Sequence, residues 1–302
     1  MKYIFIVMFV LISIPLFAQL PDNYQSMTAQ EKQDYLWNNI LETKWDDLPE
    51  LSGGGWSGIL KNLKAVLRLR ESFDHVSDEM PLDENQELRP KIIHPWGTAV
   101  KIEFVPNKEA LEYLTGIYQG AIGLARLSLA GDPSKIDYTP GMALKFFMDG
   151  QPSVNLHVMN SLDGQGDNQN FFEYEFSNIL PKPKKWILKP LEFWFSRFVK
   201  NPRHLNIDHL ALQKQSGEWE ANPSGLSQIF FVPTEECQMD SDTSLDFREG
   251  LEGFPVDSRL YQVEGIYPSS PNERWIIGDI YTRSEFVASE YGDKRLYFQH
   301  HE

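Results

Sequence analysis

The sequence contains a single cysteine, Cys237, among 302 residues. One thiol cannot form an internal disulfide, and it cannot supply the paired cysteines of a structural zinc site. Basic residues are also scarce: 28 Lys and Arg stand against 43 Asp and Glu, which gives a formal net charge of −15. A protein that binds nucleic acid along its phosphates needs a basic surface. The composition therefore excludes a disulfide scaffold and a zinc finger, and it argues against nucleic acid as a partner.

Long apolar runs are missing except at the N-terminus. Residues 1–18 begin with Met1-Lys2, continue as an apolar run and end at Ala18. One basic residue, about 15 apolar residues and a small final residue are typical of a secretory signal peptide. The run is short for a membrane span of about 20 residues. We therefore predict a signal peptide over 1–18 and an exported protein, periplasmic or secreted, with an uncleaved anchor as the alternative.

Common catalytic and nucleotide-binding motifs are missing too. The sequence has no GxSxG elbow, no HExxH pair, no P-loop and no GxGxxG segment opening a helix. Two acidic segments, 163–170 and 240–244, offer oxygen ligands to a cation. The second has Leu245 where a calcium loop needs Gly and Leu251 where it needs Glu. We interpret both segments as solvated turns, with cation binding as the alternative.

Secondary-structure signals divide the remaining sequence into a short helical N-terminal arm at 19–88 and a β-rich domain at 89–302. The arm is polar and helix-prone, most clearly at 24–48. The domain carries short apolar runs bounded by turn residues, which predict strands. We expect an α+β protein with an antiparallel β-barrel of about eight strands, interrupted by a largely helical insertion at 182–209. The predicted strands are Ile92–Val105, Ala121–Ala130, Met142–Met148, Val154–Leu162, Gln228–Val232, Leu260–Ile266, Trp275–Tyr281 and Arg295–His300.

Three segments of this domain, in order, are similar to the heme-dependent catalases and their catalase-like relatives. Residues 91–97, Lys-Ile-Ile-His-Pro-Trp-Gly, resemble the strand that carries the distal histidine. Residues 124–131, Leu-Ala-Arg-Leu-Ser-Leu-Ala-Gly, resemble the Val-Arg-Phe-Ser strand of the family. Residues 140–156 resemble its Arg-Gly-Phe-Ala-Val-Lys-Phe-Tyr strand and the following strand with the distal Asn. The resemblance covers about a third of the chain and implies a catalase-like barrel with heme as cofactor.

Peroxide chemistry at a ferric iron needs a proton to leave one oxygen and reach the other. A neutral imidazole can make both transfers, and an amide donor can hold the outgoing oxygen. The resemblance therefore implies that His94 is the distal acid and base and that Asn155 is the orienting donor. It also implies that Ser128 fixes the imidazole tautomer and that Lys91 and Arg126 pair with heme propionates. Strand-edge charges and a core hydroxyl are the alternative roles for these last three residues.

The sequence departs from the family at the proximal side of the heme. Catalases hold the iron through the Tyr of an Arg-x-Phe-x-Tyr-x-Asp-Thr segment. The nearest segment here is Arg259-Leu-Tyr261-Gln-Val263, in which Val263 occupies the place of the ligand. Tyr261 lies two positions early, within a predicted strand. The iron ligand is therefore unassigned: Tyr261 is the named candidate, and the alternatives are Tyr267, Tyr281, Tyr291 and Tyr297.

Residues 182–203 are basic and aromatic within an acidic sequence. They contain seven basic residues and one acidic residue, Glu192, together with Trp and Phe side chains. This combination is typical of a segment that lies on a lipid surface. The alternative is a helix whose aromatic stripe packs on the barrel while its lysines face water.

We predict heme-dependent hydroperoxide metabolism by a catalase-like or peroxidase-like enzyme. The substrate would be hydrogen peroxide or a lipid hydroperoxide, and the second would suit peripheral membrane contact through 182–203. The alternative is a catalase-fold protein without heme that binds a small apolar ligand or a protein partner. A proximal ligand on the side opposite His94 distinguishes the two.

Overall fold

The computed structural model describes residues 21–40, 96–129, 140–160, 209–211, 225–226, 228–237 and 251–288, together with Leu296 and Phe298. The described residues form one α-helix, three short 3-10 helices and nine strands. The α-helix, α1, spans Ala29–Ile40. The 3-10 helices are Tyr24–Ser26, Gly116–Gln119 and Glu235–Cys237. The strands are β1 (Trp96–Pro106), β2 (Ala121–Leu129), β3 (Pro140–Phe147), β4 (Val154–Asn160), β5 (His209–Ala211), β6 (Gln228–Pro233), β7 (Arg259–Ile266), β8 (Trp275–Thr282) and β9 (Val287–Ala288).

The nine strands form one curled antiparallel sheet. Each strand from β1 to β7 pairs with the next one along the chain. Strand β8 also pairs with the second edge of β1 over Ile102–Pro106, so the series of pairings returns to β1. Strand β9 continues along that edge at Thr98 and Ala99. Between β8 and β9, Ser284 Oγ accepts a hydrogen bond from the Lys101 N–H at 2.9 Å, which satisfies the backbone where the ladder is interrupted.

The prediction of an antiparallel, β-rich domain is confirmed, and the sheet that it forms is curled. Seven of the eight predicted strands match observed strands, with ends that agree within two residues wherever the structure describes them. The eighth, Arg295–His300, is wrong at Leu296 and Phe298, which lie in no strand. His209 was assigned to the helical insertion but begins β5; the rest of that insertion lies outside the described residues. Strands β5 and β9 were missed because three and two residues are too few to form a periodic pattern.

Alternate residues of the strands point into one apolar core. On β1 these are Val100, Ile102 and Phe104, while Lys101 and Glu103 between them point to the other side of the sheet. The core also contains residues of β2–β4 and β6–β8, so all these strands share one inner face. Each fully buried aliphatic or aromatic side chain contributes about 1.5–3 kcal/mol to folding. The inner face therefore holds the sheet in its curled form.

The helix α1 begins with a capping box. Thr28 Oγ1 accepts a hydrogen bond from the Glu31 N–H at 3.2 Å, and the Glu31 carboxylate accepts one from the Thr28 N–H at 2.9 Å. The hydrogen bonds that the Thr28 N–H and hydroxyl donate to this carboxylate lower the pKa of Glu31. The Ala29 N–H at the helix start donates to Asp149 in the β3–β4 hairpin at 2.7 Å. The first turn of α1 is therefore fixed both locally and to the sheet.

The helix packs its buried side on the outer face of the sheet, next to Leu124 and Phe147. Leu36 is fully buried there, and two polar side chains of α1 are buried with it. Gln33 Nε2 donates to Gly123 O at 2.7 Å, and Lys32 Nζ donates to the carbonyls of the β3–β4 hairpin. The prediction of helix within 24–48 is confirmed by α1, which covers part of the sheet. No helix in the described part of the chain is long and apolar enough to cross a membrane. The predicted signal peptide, 1–18, and the remainder of the arm lie outside the described residues.

Candidate functional site

The resemblance gave roles at the distal side of a heme to five residues, and three of them lie in described strands. Arg126 and Ser128 are on β2 and Asn155 is on β4. Lys91 and His94 lie outside the described residues. All three described residues are on the outer face of β1–β4, which is the side of these strands that α1 packs on.

The pairing register arranges this outer face in rows that run across the four strands. Arg126 and Ser128 lie in neighbouring rows, about 6–7 Å apart along β2. Asn155 lies on β4, two strands from the Arg126 strand. Its row is next to the row of Arg126, on the opposite side from the row of Ser128. The three rows are Gly97, Ser128, Gly141, Met159; then Ala99, Arg126, Ala143, His157; then Lys101, Leu124, Lys145, Asn155.

Small residues flank Arg126 and Ser128 on both sides. Arg126 stands between Ala99 and Ala143, and the row of Ser128 has glycine on each neighbouring strand. The Arg126 guanidinium lies over Gly97: a Cβ there would be only 2.8 Å from Arg126 Cζ and Nη2. Only glycine at position 97 therefore leaves room for Arg126 in this position. The glycine at the end of the His94 segment and the arginine of the next segment thus fit together in three dimensions.

Asn155 is the most informative residue of this face. Its side chain is 3% exposed, and neither Nδ2 nor Oδ1 has a hydrogen-bond partner among the residues that the structure describes. We call this group the open amide. Burying an amide without partners costs about 1–3 kcal/mol. An open amide on a buried strand is therefore the expected mark of a position that pairs with a ligand or with ordered water.

Sequence reasoning gave no role to Lys145, although it was part of a matched segment. Lys145 stands directly opposite Asn155 in the β3–β4 pairing, and it is fully buried. Its Nζ donates to Ser153 Oγ at 3.0 Å. The sequence signal for its burial is that it is the single charged residue in an otherwise apolar stretch of β3, Met-Ala-Leu-Lys-Phe-Phe. Arg126 and Lys145 bring two buried cations to one face.

An ion pair lies at the α1 edge of this face. Lys101 Nζ and Asp34 Oδ1 are 2.7 Å apart. The hydrogen bond from Lys101, with a second from Gln30, lowers the pKa of Asp34. Lys101 therefore has an acidic partner on α1, and this edge of the face is held by the helix.

Tyr261, the named candidate for the iron ligand, lies on the other side of the sheet. It is fully buried in the inner core, where its ring meets Phe231 edge-on with ring centroids 6.4 Å apart. The prediction that its segment is a strand is confirmed. The structure brings Arg126, Ser128 and Asn155 to one face and does not bring Tyr261 to it.

Other candidates add no further chemistry within the described ranges. No group of three His, Cys, Asp or Glu there is placed to hold a metal ion. The acidic segments 163–170 and 240–244 and the basic segment 182–203 lie outside those ranges. Comparison with protein-family models gives no match, and comparison with curated proteins gives none either.

Proposed function

We propose that this chain is a catalase-like protein that binds heme at the outer face of β1–β4 and metabolises hydroperoxides. The observation that carries the proposal is the open amide of Asn155, which shares that face with Arg126 and Ser128. A buried amide without a protein partner in the described part of the chain is accounted for by a ligand that pairs with it. Its strand position is also the one that the family resemblance assigns to the orienting amide.

Arg126 fits the acidic edge of a heme. A guanidinium binds a carboxylate through two parallel hydrogen bonds, and it does so most strongly where water is excluded. Arg126 is buried, and its neighbours Ala99, Ala143 and Gly97 leave a flat surface around it. Arg126 would hold one propionate, and Lys91 would hold the other.

Bound heme would supply the ferric iron at which the O–O bond of the peroxide is broken. The protein would supply the proton transfers and the orientation. His94 would take a proton from one peroxide oxygen and return it to the other, with Ser128 fixing its tautomer. Asn155 would donate a hydrogen bond to the outgoing oxygen. The substrate would be hydrogen peroxide or a lipid hydroperoxide, encountered outside the cytoplasm and, for the lipid, through contact of 182–203 with a membrane surface.

A second candidate function follows from Tyr261. Because that side chain packs in the inner core, a heme on the outer face needs a different protein ligand. Without one, the same face would bind a flat apolar acid other than heme, or a protein partner, and the protein would not be an enzyme.

The two functions are separated by heme binding. We would express the chain from Gln19 with heme supplied and record the absorption spectrum. The proposal predicts a Soret band at one heme per chain. Replacing Arg126 by Leu should weaken heme binding about tenfold, the usual scale of one charge-assisted bond. The matched control is Arg274→Leu, which removes a surface arginine paired with Glu264 at 3.4 Å and should leave heme binding unchanged.

The catalytic assignment is tested in the same material. His94→Ala should keep its heme and lose peroxidase activity, because the proton carrier is gone. Unaltered activity would remove His94 from the mechanism. A folded protein without a Soret band would contradict heme binding. The non-enzymatic function would then be the one that explains this face.

A further inference from the structure

We propose that Lys145 and Asn155 form an anion-binding pair that takes a small oxyanion at the outer face of β3 and β4. The inference rests on the proposed function for its natural ligand, the outgoing peroxide oxygen, which carries negative charge as the O–O bond breaks. The pair itself is argued from geometry, burial and charge.

The two side chains are direct neighbours. They stand opposite each other in the β3–β4 ladder, a relation that places Cβ atoms about 5 Å apart on the same face. Lys145 is 0% exposed and Asn155 is 3% exposed. Lys145 Nζ donates to Ser153 Oγ at 3.0 Å, and Ser153 lies two residues before Asn155 along the chain. The ammonium group therefore lies towards β4, on the side where the open amide is.

The chemistry of the two groups favours an anion over a neutral ligand. The Nδ2 group of Asn155 offers two N–H donors, and no acceptor within the described ranges takes either of them. An acceptor bound there would lie beside a positive charge in a region that excludes water. Coulomb attraction is several times stronger in such a region than in bulk solvent. A negatively charged oxygen gains from both the hydrogen bonds and the charge, whereas a neutral oxygen gains mainly from the hydrogen bonds.

The surroundings make the pair a defined site. On the same face, the row containing it continues with Leu124, and the neighbouring position on β3 is Ala143. Leu124 packs with Phe147 and Leu36 in the apolar cluster beneath α1. The anion site is therefore a polar position bordered by apolar side chains. Arg126 is the diagonal neighbour of Lys145, about 7–8 Å away.

The first test is calorimetric titration of the heme-free protein with sodium formate, with sodium chloride as the ionic-strength control. We expect saturable binding of one formate per chain. Asn155→Leu should weaken it about tenfold, as expected for one charge-assisted hydrogen bond. The matched control is Gln262→Leu on β7, whose amide already donates to Glu264 at 2.7 Å, and it should leave formate binding unchanged. No saturable heat in the natural protein, or equal affinity in Asn155→Leu, overturns the proposal.

The second test uses Asn155→Asp, which places a carboxylate where the anion would bind. Formate binding should be lost, and the thermal midpoint at pH 7 should rise, because the new carboxylate pairs with Lys145. The rise should disappear when Lys145→Met is added and persist with Lys145→Arg, which keeps the charge. The opposite result is that Asn155→Asp lowers the thermal midpoint by the same amount in all three backgrounds, with lysine, arginine or methionine at position 145. The charge of Lys145 would then not act on the side chain at position 155, and the proposal would fail.

The experiments can overturn either proposal independently of the other. Formate binding and the double substitution are measured without heme, so a missing Soret band overturns the proposed function and leaves the anion pair standing. A normal Soret band without formate binding overturns the anion pair alone.

Discussion

Two buried primary amides lie on the outer face of the same sheet, and they differ in how they are paired. Gln33 of α1 donates to Gly123 O at 2.7 Å and is enclosed by the helix and β2. Asn155 of β4 is equally buried, but its amide has no partner from any described residue. The first amide joins two elements of the fold. The second makes no such connection to the described residues, and we propose that a ligand pairs with it.

The comparison gives a rule for separating structural from functional polar groups on this face. Lys32 and Gln33 donate to backbone carbonyls, so α1 can bury a polar side against the sheet without loss of hydrogen bonds. Asn155 breaks that pattern beside a buried lysine. Removal of a structural polar group should lower the free energy of unfolding, whereas removal of a functional polar group should not.

The largest effect is expected from removing the apolar contact beneath α1. Leu36→Ala should lower the free energy of unfolding by about 2–5 kcal/mol, because it deletes buried methyl groups and leaves a cavity. Urea denaturation measures it. If the loss stays below about 1 kcal/mol, well under the usual cost of such a cavity, α1 is not a stable part of the outer face, and the comparison between the two amides loses its basis.

Removing the paired amide comes next. Gln33→Leu should lower the free energy of unfolding by about 1–2 kcal/mol, because the carbonyl of Gly123 loses its donor. The same denaturation experiment applies, with Asn38→Leu on the exposed side of α1 as the control. Equal stability of Gln33→Leu and the natural protein would contradict a structural role for this amide.

Removing the open amide should act in the opposite direction. Asn155→Leu should leave the free energy of unfolding unchanged or raise it by up to about 1 kcal/mol, because an unpaired polar group is replaced by an apolar one of similar size. The same variant should bind formate about tenfold more weakly. A loss of stability like that of Gln33→Leu would mean that Asn155 is part of the fold.

A buried hydroxyl of the inner core sharpens the comparison further. The Tyr118 OH is unpartnered within the described part of the chain, and burial raises the pKa of Tyr118. Its ring meets Phe104 edge-on in the apolar core. Tyr118→Phe should change the free energy of unfolding by no more than about 0.5 kcal/mol and leave formate and heme binding unchanged. A loss of either ligand would place a binding site on the inner face.

The smallest effect concerns the ion pair at the α1 edge. Lys101 lowers the folded-state pKa of Asp34 below its unfolded value, so the pair stabilises the fold above the unfolded pKa. That contribution is lost as the pH falls through the folded-state pKa. Asp34 is partly exposed, so Asp34→Asn should cost no more than about 0.5 kcal/mol at pH 7 and progressively less as the solution is acidified. If the difference in unfolding free energy between Asp34→Asn and the natural protein grew as the pH fell, the assigned lowering of the Asp34 pKa would be contradicted.

The strands could be predicted from sequence because alternation and turn residues are local. Strand β1 is the clearest example, with Val100, Ile102 and Phe104 inward and Lys101 and Glu103 outward. The packing of α1 could not be predicted in the same way. Its buried side carries Lys32 and Gln33, and polar residues in a helix normally indicate exposure to water.

The candidate site was predictable in part. The strand positions of Arg126, Ser128 and Asn155 follow from the matched segments, and their common face follows from register once the strands are paired. The burial of Lys145 was not predictable, since lysine is rarely enclosed. Tyr261 lies in the inner core because of the side of the sheet to which its side chain points. The sequence of β7 alone does not determine that side.

The most direct test of the account is to locate heme on the sheet by nuclear magnetic resonance. Ferric heme broadens the signals of nearby nuclei, so it can be titrated into ¹⁵N-labelled protein with the Asn155 and Gln262 side-chain amides as reporters on two parts of the sheet. The account predicts that the Asn155 side-chain signals and the β2–β4 backbone signals broaden first, while those of Gln262 and β7–β8 stay sharp. Broadening confined to β7–β8 around Tyr261, or no specific broadening at all, would contradict it.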